Sequence, residues 1–136
     1  MISNHTWFKK KISHINEKTG SISIVESGDQ IPFDIKRAFY LTDINIDEVR
    51  GAHAHEELQQ FILCLSGTFD IRLEGGSKVE IINMKNDAVG LFVGGMVWRD
   101  MFNFSKGAVM LVLCDKIYSE DIVIRNYEKF KMHNKK

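Results

Sequence analysis

Short apolar runs recur along most of the chain, and polar or glycine-containing clusters separate them. The runs are rich in valine, isoleucine, leucine and phenylalanine, which favours strands over helices. The strands predicted from this pattern cover residues 21–26, 33–41, 59–66, 69–73, 79–83, 88–93 and 109–114. Many short strands with turn residues between them indicate an all-β barrel or sandwich.

The segment 69–83 predicts an antiparallel hairpin, because Gly75 and Gly76 can supply the positive φ angles that a tight turn requires. A different pattern begins after Tyr118. There Ser119 is a candidate helix cap, acidic residues follow it, and lysines end the segment, which suits the charge distribution of a helix. We therefore expect a short C-terminal helix packed outside the barrel.

The bulk properties narrow the class of protein. A length of 136 residues predicts a single domain over residues 1–136. The formal net charge is zero, which argues against nucleic acid as a partner and means that a diphosphate ligand would need a local basic cluster. The chain has no apolar leader and no stretch of about 18 apolar residues, so a cytoplasmic location without membrane contact is expected.

The segment 50–55, with the sequence Arg-Gly-Ala-His-Ala-His, carries the most informative chemistry. Residues two apart on a strand point to the same face, so His53 and His55 present two imidazoles side by side. The intervening residues are small, and they offer no bulky apolar partner that would explain the histidines as core residues. Paired titratable groups among several strands therefore predict a functional site.

A glycine, a His-x-His pair, a nearby polar residue and a later Gly67 resemble the first motif of the cupin superfamily, and residues 93–103 resemble the second. The resemblance implies a double-stranded β-helix, which is a jelly-roll barrel. In metal-binding cupins the polar residue is a glutamate and the second motif supplies a third histidine. Here Gln59 and Gln60 carry amides, and Arg99 stands in the place of the third histidine.

These replacements favour chemistry without a metal, because an arginine has no lone pair to donate and a glutamine is a weak neutral ligand. The expectation is therefore no metal and no cofactor. One alternative remains open. His53, His55 and Glu57 share strand parity and would form a set of two histidines and one carboxylate, which suits iron.

A closer resemblance is carried by residues 31–40 (IPFDIKRAFY), 50–55 (RGAHAH), 63–67, 89–91 and 97–98. Over residues 20–130 the chain is similar to the WxcM-like sugar 3,4-ketoisomerases. This resemblance implies a dTDP-linked 4-keto-6-deoxyglucose as substrate, a 3-keto product for 3-amino-sugar biosynthesis, and a homodimer with exchanged N-terminal strands. Two positions depart from the family's pattern, since Arg99 replaces a frequent histidine and Phe39 replaces a common tyrosine.

Moving a ketone from C4 to C3 requires two proton transfers and an enediol or enediolate intermediate. Imidazole has an ordinary pKa near 6.5, so His53 and His55 can act as acid or base near neutrality. We expect one of them to move the proton between C3 and C4 and the other to serve the sugar oxygens. The sequence leaves the assignment open.

The candidate substrate-binding residues surround this pair along the chain. Arg37 is expected to share a row with Phe33 that faces the barrel interior, where a ligand anion would pair with its charge. Arg50 is a candidate clamp for a diphosphate oxygen. The remaining candidates are Lys36, Tyr40, Gln59, Trp98 and Arg99, of which Tyr40 and Trp98 read almost equally well as ordinary buried aromatic residues.

Three other functions fit the same sequence. A cupin 3,5-epimerase would act on the same keto sugar, a non-catalytic cupin would bind sugar without turnover, and a metal-dependent cupin would use the two histidines with Glu57. The fold alone cannot separate them, because cupins carry many activities. The matched residues favour the ketoisomerase.

Overall fold

The computed structural model describes residues 4–28 and 30–134, and most of them lie in β-strands. In chain order the strands are β1 (Trp7–Lys11), β2 (Ser13–Glu17), β3 (Gly20–Ile24), β4 (Arg37–Leu41), β5 (Arg50–His55), β6 (Gln60–Ser66), β7 (Thr68–Gly75), β8 (Lys78–Lys85), β9 (Val89–Val93), β10 (Trp98–Phe102), β11 (Val109–Cys114) and β12 (Val123–Ile124). A 3-10 turn at Tyr118–Glu120 precedes β12, and one helix, α1 (Tyr127–Asn134), follows it.

The strands form two five-stranded antiparallel sheets with the orders β1-β9-β6-β11-β4 and β12-β5-β10-β7-β8, and β2 and β3 form a separate hairpin. Neighbours in each sheet are mostly distant in sequence, as in a jelly roll. The predicted all-β jelly-roll barrel with a short C-terminal helix is confirmed. No helix among the described residues is long and apolar enough to cross a membrane.

The main core lies between the two sheets, and strand alternation builds it. In β7 every second side chain is buried, so that Phe69, Ile71 and Leu73 all point inward with no exposed surface. Ile62 of β6 joins this core from the other sheet, whereas its neighbour Phe61 is buried in a second cluster on the outer face. Because β6 is covered on both faces, its sequence reads as a continuous apolar run.

The outer cluster explains why the predicted strand 33–41 is shorter than expected. Only Arg37–Leu41 forms β4, and the preceding segment crosses the outer face of the first sheet, where Phe33 packs against Phe92 with ring centres 6.3 Å apart. Phe33 therefore does not share an inward-facing row with Arg37, and that part of the prediction is wrong. The predicted hairpin is present as β7 and β8, with a positive φ of 60° at Gly76.

The C-terminal segment also differs from the expectation. The predicted helix start at Ser119 is wrong, since Ser119 lies in the 3-10 turn and the next residues return to an extended conformation. Val123 and Ile124 then pair with β5 and complete that edge of the sheet. The helix begins only at Tyr127, because the β-branched residues before it favour strand pairing. Asn126 caps the helix, since its Oδ1 accepts a hydrogen bond from the Lys129 backbone N–H.

Replacing Ile82 by alanine tests the position of the core. Ile82 on β8 is 4% exposed and its neighbour Ile81 is 59% exposed, on the opposite face of the same strand. We expect Ile82→Ala to lower the free energy of unfolding by about 2–5 kcal/mol, since it opens a cavity in the core. Ile81→Ala is the matched control, with an expected loss under about 1 kcal/mol. Equal losses in urea unfolding would contradict this arrangement.

Candidate active site

The last residues of β5 place two imidazoles in one cavity. His53 lies opposite Arg99 of β10, and His55 lies opposite Val123 of β12. The two rings are nearly perpendicular, at 87°, and their Nε2 atoms are 2.9 Å apart. The prediction that these side chains share one face is confirmed.

A β-bulge directly before the pair sets its position. The register between β10 and β5 shifts at Ala52, and both Gly51 and Ala52 have positive φ angles. A Cβ on Gly51 would lie 2.9 Å from the Arg99 carbonyl oxygen, so glycine is required by the close approach of the two strands. The bulge lets β5 turn its last two histidines into the barrel mouth.

Asp121 contacts the histidine pair, and the sequence interpretation missed it because it was assigned to a helix. It lies in the loop between the 3-10 turn and β12. Its Oδ1 is 2.8 Å from Nδ1 of His55, and its Oδ2 is 3.3 Å from a terminal nitrogen of Arg37. All three side chains are largely buried. The three β-branched residues that follow Asp121 could have indicated a strand there instead of a helix.

These residues line a cavity of about 370 Å³ at the barrel mouth. Its walls are formed by Arg37, Phe39, His53, His55, Tyr118, Asp121, Val123 and Arg125. Tyr118 and Arg125 were also absent from the sequence prediction: Arg125 belongs to the segment that was assigned to a helix, and Tyr118 directly precedes it. The cavity thus combines two arginines, two imidazoles and one carboxylate with aromatic walls.

Arg37 is held in place but keeps donors free. Its guanidinium lies 5.8 Å from the ring centre of Phe39 and 5.7 Å from that of Tyr118. Its Nε and Nη1 atoms are buried and have no hydrogen-bond partner among the described residues. The Arg37 guanidinium lies between two aromatic rings and has hydrogen-bond donors without a partner, so it is suited to binding an anion in the cavity.

A second, smaller cavity of about 110 Å³ lies in the barrel interior behind His53. Arg99, Gln60 and Arg50 contribute its polar lining. Arg99 is 1% exposed and donates hydrogen bonds to Gln60 Oε1 and to the Val97 carbonyl oxygen, while its Nε has no partner among the described residues. Both acceptors are neutral, so no hydrogen-bond partner neutralises the positive charge of Arg99, which lies buried beside the histidine pair.

The electrostatic surroundings keep both imidazoles uncharged. Burial, and then the positive charge of Arg99, lower the pKa of His53 to about 4. The same two causes lower the pKa of His55 far below its ordinary value, with further contributions from His53 and Arg37. Burial lowers the pKa of Arg99 to about 10, so Arg99 remains protonated at neutral pH. Each neutral imidazole then offers one N–H and one lone pair.

Several predicted binding residues lie outside the mouth cavity. Tyr40 points away from the barrel and is 69% exposed, so it is neither buried nor near the histidines. Lys36 is exposed just before β4. Arg50 is exposed and lines the interior cavity together with a cavity at the 41–50 loop.

Gln59 and Trp98 are directed elsewhere as well. The Gln59 side chain donates a 2.9 Å hydrogen bond to Asp115, and its neighbour Gln60 is the amide that faces the site. Trp98 is buried on the outer face of its sheet, 5.5 Å from Phe130 of α1 between ring centres. Trp98 therefore anchors the C-terminal helix and does not line either cavity beside the histidine pair.

Glu57 does not join the histidines. Strand β5 ends at His55, and Glu57 lies exposed in the bend that follows, so the parity argument does not extend to it. Among residues 4–28 and 30–134, no group of three or more histidine, cysteine or acidic side chains is arranged to hold a metal ion. The set of two histidines and Glu57 considered from the sequence is not assembled.

A jelly-roll barrel with paired imidazoles on β5, facing the barrel mouth, defines a protein of the cupin class. Within this class the chain belongs to the family described as "FdtA: WxcM-like, C-terminal", which it matches over residues 5–135. The resemblance inferred from the sequence is therefore confirmed.

The similar proteins include characterised enzymes. A TDP-4-oxo-6-deoxy-alpha-D-glucose-3,4-oxoisomerase from Aneurinibacillus thermoaerophilus is 40% identical over 126 residues, which are 93% of this chain and 88% of that protein. The sugar 3,4-ketoisomerase QdtA from Thermoanaerobacterium thermosaccharolyticum, solved in complex with TDP, is 39% identical with a TM-score of 0.90 and 96% coverage of both chains. The TDP-quinovose 3,4-ketoisomerase WlaRB from Campylobacter jejuni is 37% identical with a TM-score of 0.87, covering 93% of this chain and 97% of that chain.

The lowered pKa values predict acid sensitivity. Both histidines bind fewer protons in the folded state than in the unfolded state, whose histidine pKa is near 6.5. Their contribution to the free energy of unfolding is therefore complete above pH ~6.5 and is lost on acidification toward pH ~4 and below, by up to about 1.4 kcal/mol per pH unit for each histidine. Urea unfolding at several pH values measures this slope.

The double variant His53→Asn with His55→Asn is the control for this slope. It retains the carboxylates that also titrate in acid, so the difference between the two proteins isolates the histidines. An unchanged slope between pH 6.5 and pH 4 would show that the imidazoles are not held neutral by the fold.

Proposed function

We propose that this protein is a 3,4-ketoisomerase that converts a TDP-linked 4-keto-6-deoxyglucose into the corresponding 3-keto-6-deoxyhexose. The observation that carries the proposal is the pair of neutral imidazoles whose Nε2 atoms meet at 2.9 Å beside a cavity with two arginines. Relatives that share 37–40% of their residues with this chain carry this activity in their names. The 3-keto product would suit a following aminotransferase, as the family resemblance implies.

The reaction needs a base, an acid and a stabilised oxyanion. A neutral imidazole removes the C3 proton, the electrons move toward the C4 carbonyl, and the enediolate forms. The C4 oxygen then takes up a proton, the C3 oxygen loses its proton, and a proton returns to C4, which leaves the ketone at C3 and a hydroxyl at C4. His53 and His55 supply two proton-transfer groups in direct contact, which matches this requirement.

Arginines would stabilise the negative charges of the substrate and of the intermediate. Arg37 and Arg125 line the mouth cavity, where a diphosphate can reach them. Arg99 lies deeper, beside His53, and its unpartnered Nε is available to an enediolate oxygen in a site largely shielded from water. These charges therefore favour a substrate orientation in which the nucleotide diphosphate lies at the barrel mouth and the hexose lies deeper, beside the histidines.

A proton NMR time course in deuterated buffer tests the proposal with chelator-treated protein and TDP-4-keto-6-deoxyglucose. We expect a 3-keto product with deuterium at C4, because the enediolate is protonated there. His53→Asn and His55→Asn should each lower kcat by about 10²- to 10⁴-fold. Exchange at C5 would instead indicate a 3,5-epimerase, and an unchanged spectrum would indicate a binding protein or a need for metal.

The matched control for the histidine variants is His133→Asn. His133 lies exposed in the last turn of α1 and does not line the cavity. Unchanged turnover is expected for this variant. A comparable loss in all three variants would point to a general effect of histidine replacement and not to the site.

We also propose that the protein is a homodimer whose N-terminal strands contact or exchange with the partner. The β2–β3 hairpin forms its own two-stranded sheet and nearly all of its residues are exposed. Ile15 and Ile22 face each other across it with 46% and 51% of their surface exposed. An isolated hairpin is marginally stable in water, so a second copy that covers these residues would stabilise it.

Sedimentation equilibrium tests the dimer. The wild-type chain should sediment at twice the mass of one chain, and the double variant Ile15→Glu with Ile22→Glu should shift toward the monomer because charges would enter the interface. Val79→Glu on exposed β8 is the control and should remain dimeric. A wild-type monomer at micromolar concentration would reject the proposal.

A further inference from the structure

The Asp121 carboxylate contacts both His55 of the histidine pair and Arg37 at the cavity wall. Resting on the proposed function, we infer that Asp121 is a positioning residue for the isomerisation: it fixes the tautomer of His55 and balances the charge that this ring acquires. The basis is the contact of the Asp121 carboxylate with Nδ1 of His55 at 2.8 Å and with Arg37 at 3.3 Å.

The tautomers follow from counting hydrogens. An ionised carboxylate only accepts hydrogen bonds, so Nδ1 of His55 carries the hydrogen and its Nε2 carries the lone pair. The Nε2–Nε2 contact of 2.9 Å needs one hydrogen, which must then come from Nε2 of His53. The donors therefore run in one direction, from His53 to His55 to Asp121.

This order prepares His55 to accept a proton. Its Nε2 lone pair faces the N–H of His53, and a substrate that enters the cavity would take the place of that contact. The hydrogen on Nδ1 stays on the far side of the ring, held by Asp121. Without the carboxylate, the ring could carry its hydrogen on Nε2 and would lose its accepting atom on the cavity side.

Charge makes the carboxylate necessary as well. The charged groups that act on His55 are Arg37 from β4, Arg99 from β10, Arg125 after β12, and His53 on its own strand when protonated. All of these disfavour an imidazolium, and Asp121 supplies the carboxylate in direct contact with the ring. A transient imidazolium at His55 is therefore stabilised on one side only, by Asp121.

The fold holds Asp121 rigidly in this position. The Asp121 backbone N–H bonds to the Tyr118 carbonyl oxygen, and Glu56 donates its N–H to the Ile122 carbonyl oxygen. Beyond it, β12 pairs with β5 and Phe130 of α1 is completely buried. The pairing of β12 with β5 and the packing of α1 thus hold the Asp121 carboxylate against β5.

Asp121→Asn tests the inference, because an asparagine amide can donate a hydrogen bond to Nδ1 and so favour the other tautomer of His55. We expect kcat to fall by about 10²- to 10⁴-fold with little change in KM, as for the loss of a carboxylate behind a catalytic histidine. Asp121→Glu should recover part of kcat.

Two control variants separate this role from neighbouring effects. Arg37→Met removes the other partner of Asp121 and should mainly raise KM, because Arg37 faces the anionic part of the substrate. Asp115→Asn removes a carboxylate that binds Gln59, outside the cavity, and should leave kcat unchanged. If Arg37→Met reproduced the fall in kcat with an unchanged KM, Asp121 would act through the arginine and the inference would be overturned.

Long-range ¹H–¹⁵N spectra of histidine-labelled protein measure the tautomer without substrate. We expect His55 to be protonated at Nδ1 in the wild type and in Arg37→Met, and at Nε2 in Asp121→Asn. An unchanged Nδ1–H form in Asp121→Asn would overturn the inference. Because this readout does not depend on turnover, it tests the positioning role even if the wild type proves inactive on the keto sugar, an outcome that would overturn only the proposed function.

Discussion

Keeping two imidazoles uncharged inside a cavity rich in arginine is the constraint on which the site depends. Burial and the charge of Arg99 lower the pKa of both His53 and His55, so each ring is uncharged and keeps one lone pair at neutral pH. The same surroundings would oppose an imidazolium during turnover. In the mechanism inferred above, the carboxylate of Asp121, which contacts the His55 ring, would offset that cost.

The buried Arg99 gives this barrel a fixed positive charge where the cupin resemblance leads one to expect a histidine ligand. Its side chain is fully buried, and its two acceptors, Gln60 Oε1 and the Val97 carbonyl oxygen, are neutral. A buried charge without a counter-ion in direct contact is costly, and a substrate that develops negative charge would add to the compensation that Asp121 supplies from a distance. In the proposed reaction, this arrangement would favour the enediolate over the neutral ground state, which is the direction that catalysis requires.

The parts of this site that depend on local periodicity could be predicted from the sequence, and the parts that depend on tertiary closure could not. Strand parity correctly brought His53 and His55 together, and the apolar runs indicated the barrel. Gln60 and not Gln59 is the amide that faces the site, because Gln59 precedes β6 and its side chain bonds to Asp115. Parity failed to indicate that Tyr40 faces outward, since strand alternation alone does not say which face is buried.

Asp121 shows most clearly what local sequence patterns could not predict. Its local sequence suits the first turn of a helix, but β5 has an open edge that β12 fills, and tertiary pairing outweighs that weak helical preference. The pairing places residues 66 positions apart in one hydrogen bond. Trp98 contributes indirectly, because its packing with Phe130 secures the helix that follows β12. The chemistry at the barrel mouth thus relies on a C-terminal segment whose aromatic contacts lie on the opposite face of the sheet.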